Sequence, residues 1–280
     1  MSVIGQLTNK AREATRVLRA FLRRDVLDAT SYKVAFAYQV ATLGSSVLTV
    51  YFLSRMVSGA DVESLRRWGG AYFPFALLGV AVADYLNTSL TGFSRGIRLA
   101  QTVGTLEAML ATPTSPSLIV AGSALYRFTW SAVRVAMYVL AGMLLGASYP
   151  NANISTAMLV GVLSVTSFAA LGLFAASLVL LLKTVEPISK LIAGLSWLFG
   201  GVLYPIGALP EQAQLVAWCL PVTHSLEGIR AALLLGASPS AVGAQLLWLS
   251  VFSLVILPLS LLSFQRAVRR LRIEGSVSHY

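Results

Sequence analysis

Three charged side chains interrupt runs of apolar residues, where a charge is costly: Asp84, Arg127 and Arg134. Ionisable groups inside a hydrocarbon layer face a bundle interior or water and pair with one another. Arg127 and Arg134 stand seven residues apart, so on a helix they share a face. Asp84, in a neighbouring run, is a candidate partner for Arg134, while the long stem of Arg127 suits snorkelling to the inner interface. Further on, His224, Glu227 and Arg230 fall in an amphipathic stretch. Glu227 and Arg230 are spaced i, i+3, which allows them to pair, and His224 reads as a structural partner at the outer interface rather than a proton carrier. Catalytic and metal chemistry find no support. There is no H-E-x-x-H, no Ser/His or paired-Asp constellation, and both histidines, His224 and His279, lie outside the centres of the apolar runs. No G-x-x-x-x-G-K-[ST] phosphate loop occurs, nor any Gly-Lys pair.

These residues sit in an unusual background. Of 280 residues, 56% are apolar and 11% charged, with a mean hydropathy of +0.75. A soluble domain carries roughly 25% charged residues, so most of this chain belongs in a solvent that rejects charge. The expected architecture is all-α and integral to the membrane, one domain over 1–280 with no separate soluble unit. A spanning helix needs about 20 mostly apolar residues. Six windows meet that rule: 34–57, 71–93, 117–146, 156–182, 187–206 and 241–264. The third, roughly 45 Å long at 1.5 Å per residue, should tilt, break or begin below the membrane. The N-terminus lacks the pattern of a secretory signal, because basic residues continue to Arg24 where a short apolar core should follow. A single cysteine, Cys219, excludes an internal disulfide.

The net charge of +10 is topological rather than a sign of nucleic-acid binding. Fifteen basic residues fall on one side of the six windows: Lys10, Arg12, Arg16, Arg19, Arg23, Arg24 and Lys33 before the first, Arg95, Arg98, Lys183 and Lys190 in two loops, and Arg266, Arg269, Arg270 and Arg272 in the tail. The other side has Arg66, Arg67 and Arg230, with Arg55 at its border. The positive-inside rule then puts both termini in the cytoplasm of a multi-pass cell-membrane protein. Tyr72, Phe73, Trp197 and Trp218 stand near the expected interfaces as belt aromatics.

Three amphipathic segments separate or precede the spans. In 7–30, Leu7, Ala11, Leu18, Phe21 and Leu22 form a stripe opposite Arg12, Arg16, Arg19 and Arg23, the pattern of a helix lying in the inner interface with its arginines toward water and lipid phosphates. In the cytoplasmic loop 94–116, Leu106, Met109 and Leu110 form a short apolar face, Thr105 can cap its start and Pro113 ends it. Glu107 there is placed to meet donors on another protein. Between the fifth and sixth windows, Gly200-Gly-Val-Leu-Tyr-Pro-Ile-Gly-Ala-Leu-Pro210 is broken by Gly and Pro, and 207–240 is too polar to span. Irregular backbone at membrane depth survives only when buried in protein or lining a wet cavity, so two short helices joined near Pro221 are expected to dip back into the outer leaflet.

Gly104-Thr-Leu-Glu-Ala-Met-Leu-Ala-Thr-Pro113 resembles the coupling-helix region of the ATP-binding cassette (ABC) type-2 permeases. Tyr204-Pro205-Ile-Gly-Ala-Leu209-Pro210, followed by Pro221, His224, Glu227 and Arg230, resembles that family's C-terminal signature at the extracellular gate. The resemblance covers essentially the whole chain. It implies a transport subunit of an exporter of drugs, lipids or lipid-linked glycans, paired with a second permease subunit, identical or related, and resting on two copies of a cytosolic ATPase. Gly104, Thr105, Leu106, Glu107, Met109, Leu110 and Pro113 would then receive the ATPase motion. ATP and Mg would bind on that partner, with no cofactor on this chain. An ion-coupled secondary transporter is the rival; it calls for an internal repeat and midplane ligands, and only Asp84 resembles a coupling carboxylate.

Overall fold

The computed structural model describes residues 3–31, 33–57, 63–102, 116–182 and 187–274, together with Gly104, Thr112 and Thr114. Ten α-helices lie among them: α1 (Val3–Ser31), α2 (Lys33–Val57), α3 (Glu63–Arg66), α4 (Tyr72–Thr102), α5 (Pro116–Leu144), α6 (Ile154–Leu182), α7 (Pro187–Phe199), α8 (Glu211–Cys219), α9 (Pro221–Leu234) and α10 (Gly243–Glu274). A 3-10 turn at Ile206–Ala208 precedes α8, and the described residues include no strand. Proline opens α5, α7 and α9, where its missing N–H costs nothing and its fixed φ suits the first turn.

Four helices contain a segment long and apolar enough to cross a membrane: Phe36–Val57, Tyr72–Gly96, Ile154–Leu180 and Gly243–Arg270. Helix α5 has 29 residues but is not one of those four, its apolar run being interrupted by Arg127 and Arg134. The window expected at 187–206 is helical over its first 13 residues only. Gly200 and Gly201 end it. A side chain on Gly200 would strike the Ser196 carbonyl, and Gly201 takes a φ of +73°, the left-handed helix cap that glycine adopts without strain. The amphipathic stretch after it folds as α8 and α9, joined at Leu220 and Pro221.

Helix α4 is the centre of the bundle. Of its apolar window 78% is buried, against 11% for α10, which therefore presents most of its surface outward. Helices α5, α6, α7 and α9 surround α4, and α10 packs along α6. Lipid tails are as apolar as leucine, so helix association in membranes rests on close packing and hydrogen bonds rather than on expulsion of water. Both devices are present. Gly172 of α6 lies on the Ser89 carbonyl of α4, and Gly96 of α4 lies on Ser123 of α5. Across α6 and α10, Ser167 Oγ donates to the Leu249 carbonyl at 3.1 Å and Ser260 Oγ to the Ala170 carbonyl at 2.8 Å.

The N-terminal helix follows its sequence stripe. Leu18, Phe21 and Leu22 are half-buried, whereas Arg12, Arg16, Arg19 and Arg23 are exposed. Its apolar edge rests on α5, where the Phe21 ring covers Gly122.

The helix contacts make a direct forecast. Gly172→Ala drives a methyl into the Ser89 backbone and is expected to destabilise the protein by about 1–3 kcal/mol. Gly161→Ala on the same helix meets open space and should leave the thermal unfolding midpoint in detergent unchanged; equal midpoints for the two variants would contradict this packing.

Candidate functional site

Two groups of polar side chains are built into the bundle, one at the start of α4 and one from its middle toward its C-terminal end. The first centres on Arg230, which is 1% exposed. Pro221 starts α9, and Glu227 and Arg230 follow about one and a half and two and a half turns later. The Arg230 guanidinium donates to the Phe75 carbonyl from Nε and Nη2 (3.2 and 3.1 Å), to Gly201 from Nη1 (2.8 Å) and to Val202 from Nη2 (2.7 Å). It also lies over the Phe75 ring, 3.5 Å from the centroid. The close approach requires Gly79, where a side chain would strike the Val202 carbonyl and the guanidinium.

The expected i, i+3 pair of Glu227 with Arg230 does not form. Glu227 instead accepts a hydrogen bond and ion pair from Arg67, whose guanidinium also lies 4.6 Å from the Trp68 ring centroid. The reason is demand: the backbone carbonyls freed where α7 breaks take the Arg230 donors, leaving Glu227 to the loop. Burial raises the Glu227 pKa above the ordinary carboxylate value, and Arg67 and then Arg230 oppose that rise. His224 Nε2 bonds the Trp218 carbonyl at 2.8 Å and its ring stacks on Trp248 at 5.6 Å. Burial holds His224 below its usual pKa, against the Trp218 bond, which favours the neutral ring. Of the other signature residues, Tyr204 donates from its hydroxyl to the Leu198 carbonyl, Pro205 is buried, Leu209 accepts from Gln214 Nε2 at 2.8 Å, and Pro210 caps α8.

The second group begins at Asp84. Arg134 Nη2 meets Asp84 Oδ1 at 2.9 Å, with the two side chains 18% and 19% exposed. Below this pair a cavity of about 590 Å³ opens between α1, α2, α4 and α5, its walls including Arg24, Asp25, Gln39, Arg95, Arg127 and Trp130. Arg127 donates to the Gly92 carbonyl at 3.0 Å. Trp130 Nε1 donates to Gln39 Oε1, tying α5 to α2. Arg127 and Arg134 thus share a face, as their spacing required. Sequence reasoning did not find Arg67, Phe75, Gly79, Gln39 or Arg95 as site residues. Arg67 and Glu227 are 160 positions apart, and no local spacing marks such a contact.

Of the coupling-region residues, Gly104 is described, exposed and at φ +74°, a turn just past the end of α4. Thr105, Leu106, Glu107, Met109, Leu110 and Pro113 lie outside the described residues. Among the described residues no group of three or more His, Cys, Asp or Glu could hold a metal ion.

A bundle of long apolar helices around a buried polar framework defines a multi-pass membrane protein. The ABC-2 type transporter family model matches residues 18–234, and the chain belongs to that family of ABC transporter permeases. The match runs from within α1 through α9 and so includes both polar groups. No curated protein matches the chain. The family's domain is a transmembrane transporter domain that is not catalytic by itself, and it implies an ABC ATPase partner.

The two polar groups respond differently to substitution. Arg230→Met strips the donors from the buried Gly201 and Val202 carbonyls, each orphan costing about 1–3 kcal/mol, and should sharply reduce the yield of folded protein. For the ion pair, Asp84→Asn or Arg134→Gln leaves one half-buried charge unpaired and is expected to cost up to about 3 kcal/mol. The double variant should recover part of this loss; a strictly additive loss in thermal unfolding would dissolve the coupling.

Proposed function

We propose that this protein is the transmembrane subunit of an ATP-driven exporter, moving a hydrophobic or amphipathic substrate (a drug, a lipid or a lipid-linked glycan) out of the cytoplasm or the inner leaflet. The observation that carries the reading is the family match over residues 18–234, in a chain whose sequence holds no phosphate loop. Energy must then come from a separate ATPase, and that partner would hold ATP and Mg. Six crossings are assigned to α2, α4, α5, α6, α7 and α10, with both termini cytoplasmic by the distribution of basic residues. Helix α1 lies in the inner interface in this reading, supported by its exposed arginine face. Helices α8 and α9 form the outer re-entrant segment, supported by their shortness and by the buried framework that satisfies the broken backbone before them.

Two permease subunits, identical or related, and two ATPase copies complete the assembly. The segment 104–113 is the natural receiver of ATPase motion, since it follows α4, the helix that touches most of the bundle. A secondary transporter would use Asp84 as a free coupling carboxylate, whereas Asp84 is held by Arg134.

The test is reconstitution with a cognate cytosolic ABC ATPase. The two proteins should copurify, and substrate transport should require ATP and stop with vanadate. Transport that survives vanadate and follows an ion gradient would sink the reading. Glu107→Ala should lower ATP-coupled transport about tenfold, the scale of one lost charged hydrogen bond, while leaving the amount of folded permease unchanged.

A further inference from the structure

The cavity beneath Asp84 and Arg134 has a charge balance that the helix packing does not require. Four arginines and two aspartates line it. Arg24 pairs with Asp25 at 2.7 Å and Arg134 with Asp84 at 2.9 Å. Both carboxylates are thereby bonded, although Asp25 also lies close enough to attract Arg127. Arg95 and Arg127 have no carboxylate partner among the described residues, and Arg127 spends one donor on the Gly92 carbonyl. Two guanidinium groups without a bonded carboxylate therefore face one half-open space beside the apolar bundle. Their planar donor forks match the oxygens of phosphate-like anions.

The rest of the lining agrees. At the inner end of the cavity, Ser131 Oγ, Arg134 Nε and Asp84 Oδ2 are buried without a hydrogen-bond partner, so polar capacity is left over there. On the open side the wall turns apolar: Phe36 is 50% and Leu99 57% exposed, and Phe36 meets the Trp130 ring at 5.6 Å. A volume of about 590 Å³ lies within the usual range for small-molecule sites. A cationic interior with an apolar rim matches a molecule that is anionic at one end and hydrocarbon at the other.

We propose that this cavity is a binding site for the phosphate-type headgroup of an anionic amphiphile, with Arg95 and Arg127 clamping the headgroup and the tail leaving past Phe36 and Leu99. The Asp84–Arg134 pair closes the inner end and limits how far the headgroup travels. The assignment deepens the transporter reading, on which it rests, by giving the substrate a charge and a point of capture. Free inorganic phosphate shares the headgroup chemistry but has no use for the apolar rim.

The experiment uses the full-length permease in phosphatidylcholine nanodiscs, without any ATPase, and a photoactivatable phosphatidic acid as probe. Labelling should fall on the α4 and α5 segments that line the cavity, and unlabelled phosphatidic acid should compete while phosphatidylcholine does not. Arg95→Gln and Arg127→Gln should each lower labelling about tenfold, and Arg95→Lys should retain most of it. Arg127→Gln also breaks the bond to Gly92, so Arg95→Gln, at an exposed residue with no bond among the described residues, keeps the test decisive if the former fails to fold. Undiminished labelling of Arg95→Gln, or equal labelling by a matched phosphatidylcholine probe, overturns the site. Displacement by inorganic phosphate as effective as that by phosphatidic acid overturns the amphiphile. Because binding is read without ATP, loss of vanadate-sensitive transport with labelling intact would count against the transporter reading alone. Charge-independent labelling alongside intact transport would count against the headgroup site alone.

Discussion

Three backbone carbonyls from two separate places converge on one guanidinium. Phe75 belongs to the first turns of α4, while Gly201 and Val202 belong to the turn that ends α7, and Arg230 reaches both from α9. A helix that stops inside apolar surroundings leaves carbonyls that no water can satisfy, each costing several kcal/mol. Arg230 removes that cost at a single point and in doing so locks α4, α7 and α9 together. Gly79 provides the room and Phe75 the flat surface for the cation. Glu227 is released to Arg67, so the loop before α4 is fastened to α9 by the same arrangement.

From its middle onward, α4 works on a different principle. The Asp84–Arg134 pair cancels its own charge within the bundle and holds α4 to α5. Toward α1 the balance then changes, because Arg95 and Arg127 have no such partner among the described residues. One helix thus carries a closed polar framework at its Phe75 end and an open polar cavity toward its Arg95 end. A transport subunit needs both, a rigid part that keeps broken helices folded and a chamber whose contents can change. Helix α1 bounds that chamber through Arg24 and Asp25, so a helix that reads as a surface anchor also forms a wall.

How much of this could be read beforehand depended on distance along the chain. The stripe of α1 was legible because Leu18, Phe21 and Leu22 recur at helical spacing, as were α8 and α9, with Pro221 marking their junction. The shared face of Arg127 and Arg134 followed from their separation of seven. Glu227 and Arg230 misled, because spacing reports which side chains are neighbours on one helix and is blind to stronger claims from other segments. The carbonyls of Gly201 and Val202 made that claim, and Arg67 answered for Glu227. The fifth window was also read as longer than its helix, since hydropathy registers apolar composition and Gly200, Gly201 and Val202 are not polar.

By itself the sequence determined the solvent of this protein, its helical character and its likeness to ABC-2 permeases. Hydropathy, basic residues and local motifs are properties of short segments, which need no partner to be expressed. Only the tertiary structure decided that α4 is the buried centre, that Arg230 serves three carbonyls instead of Glu227, and that two arginines at one cavity have no bonded carboxylate among the described residues. Those outcomes depend on which buried donors and acceptors compete for one another across the bundle. That competition is settled by packing in a medium with no water to take the losers.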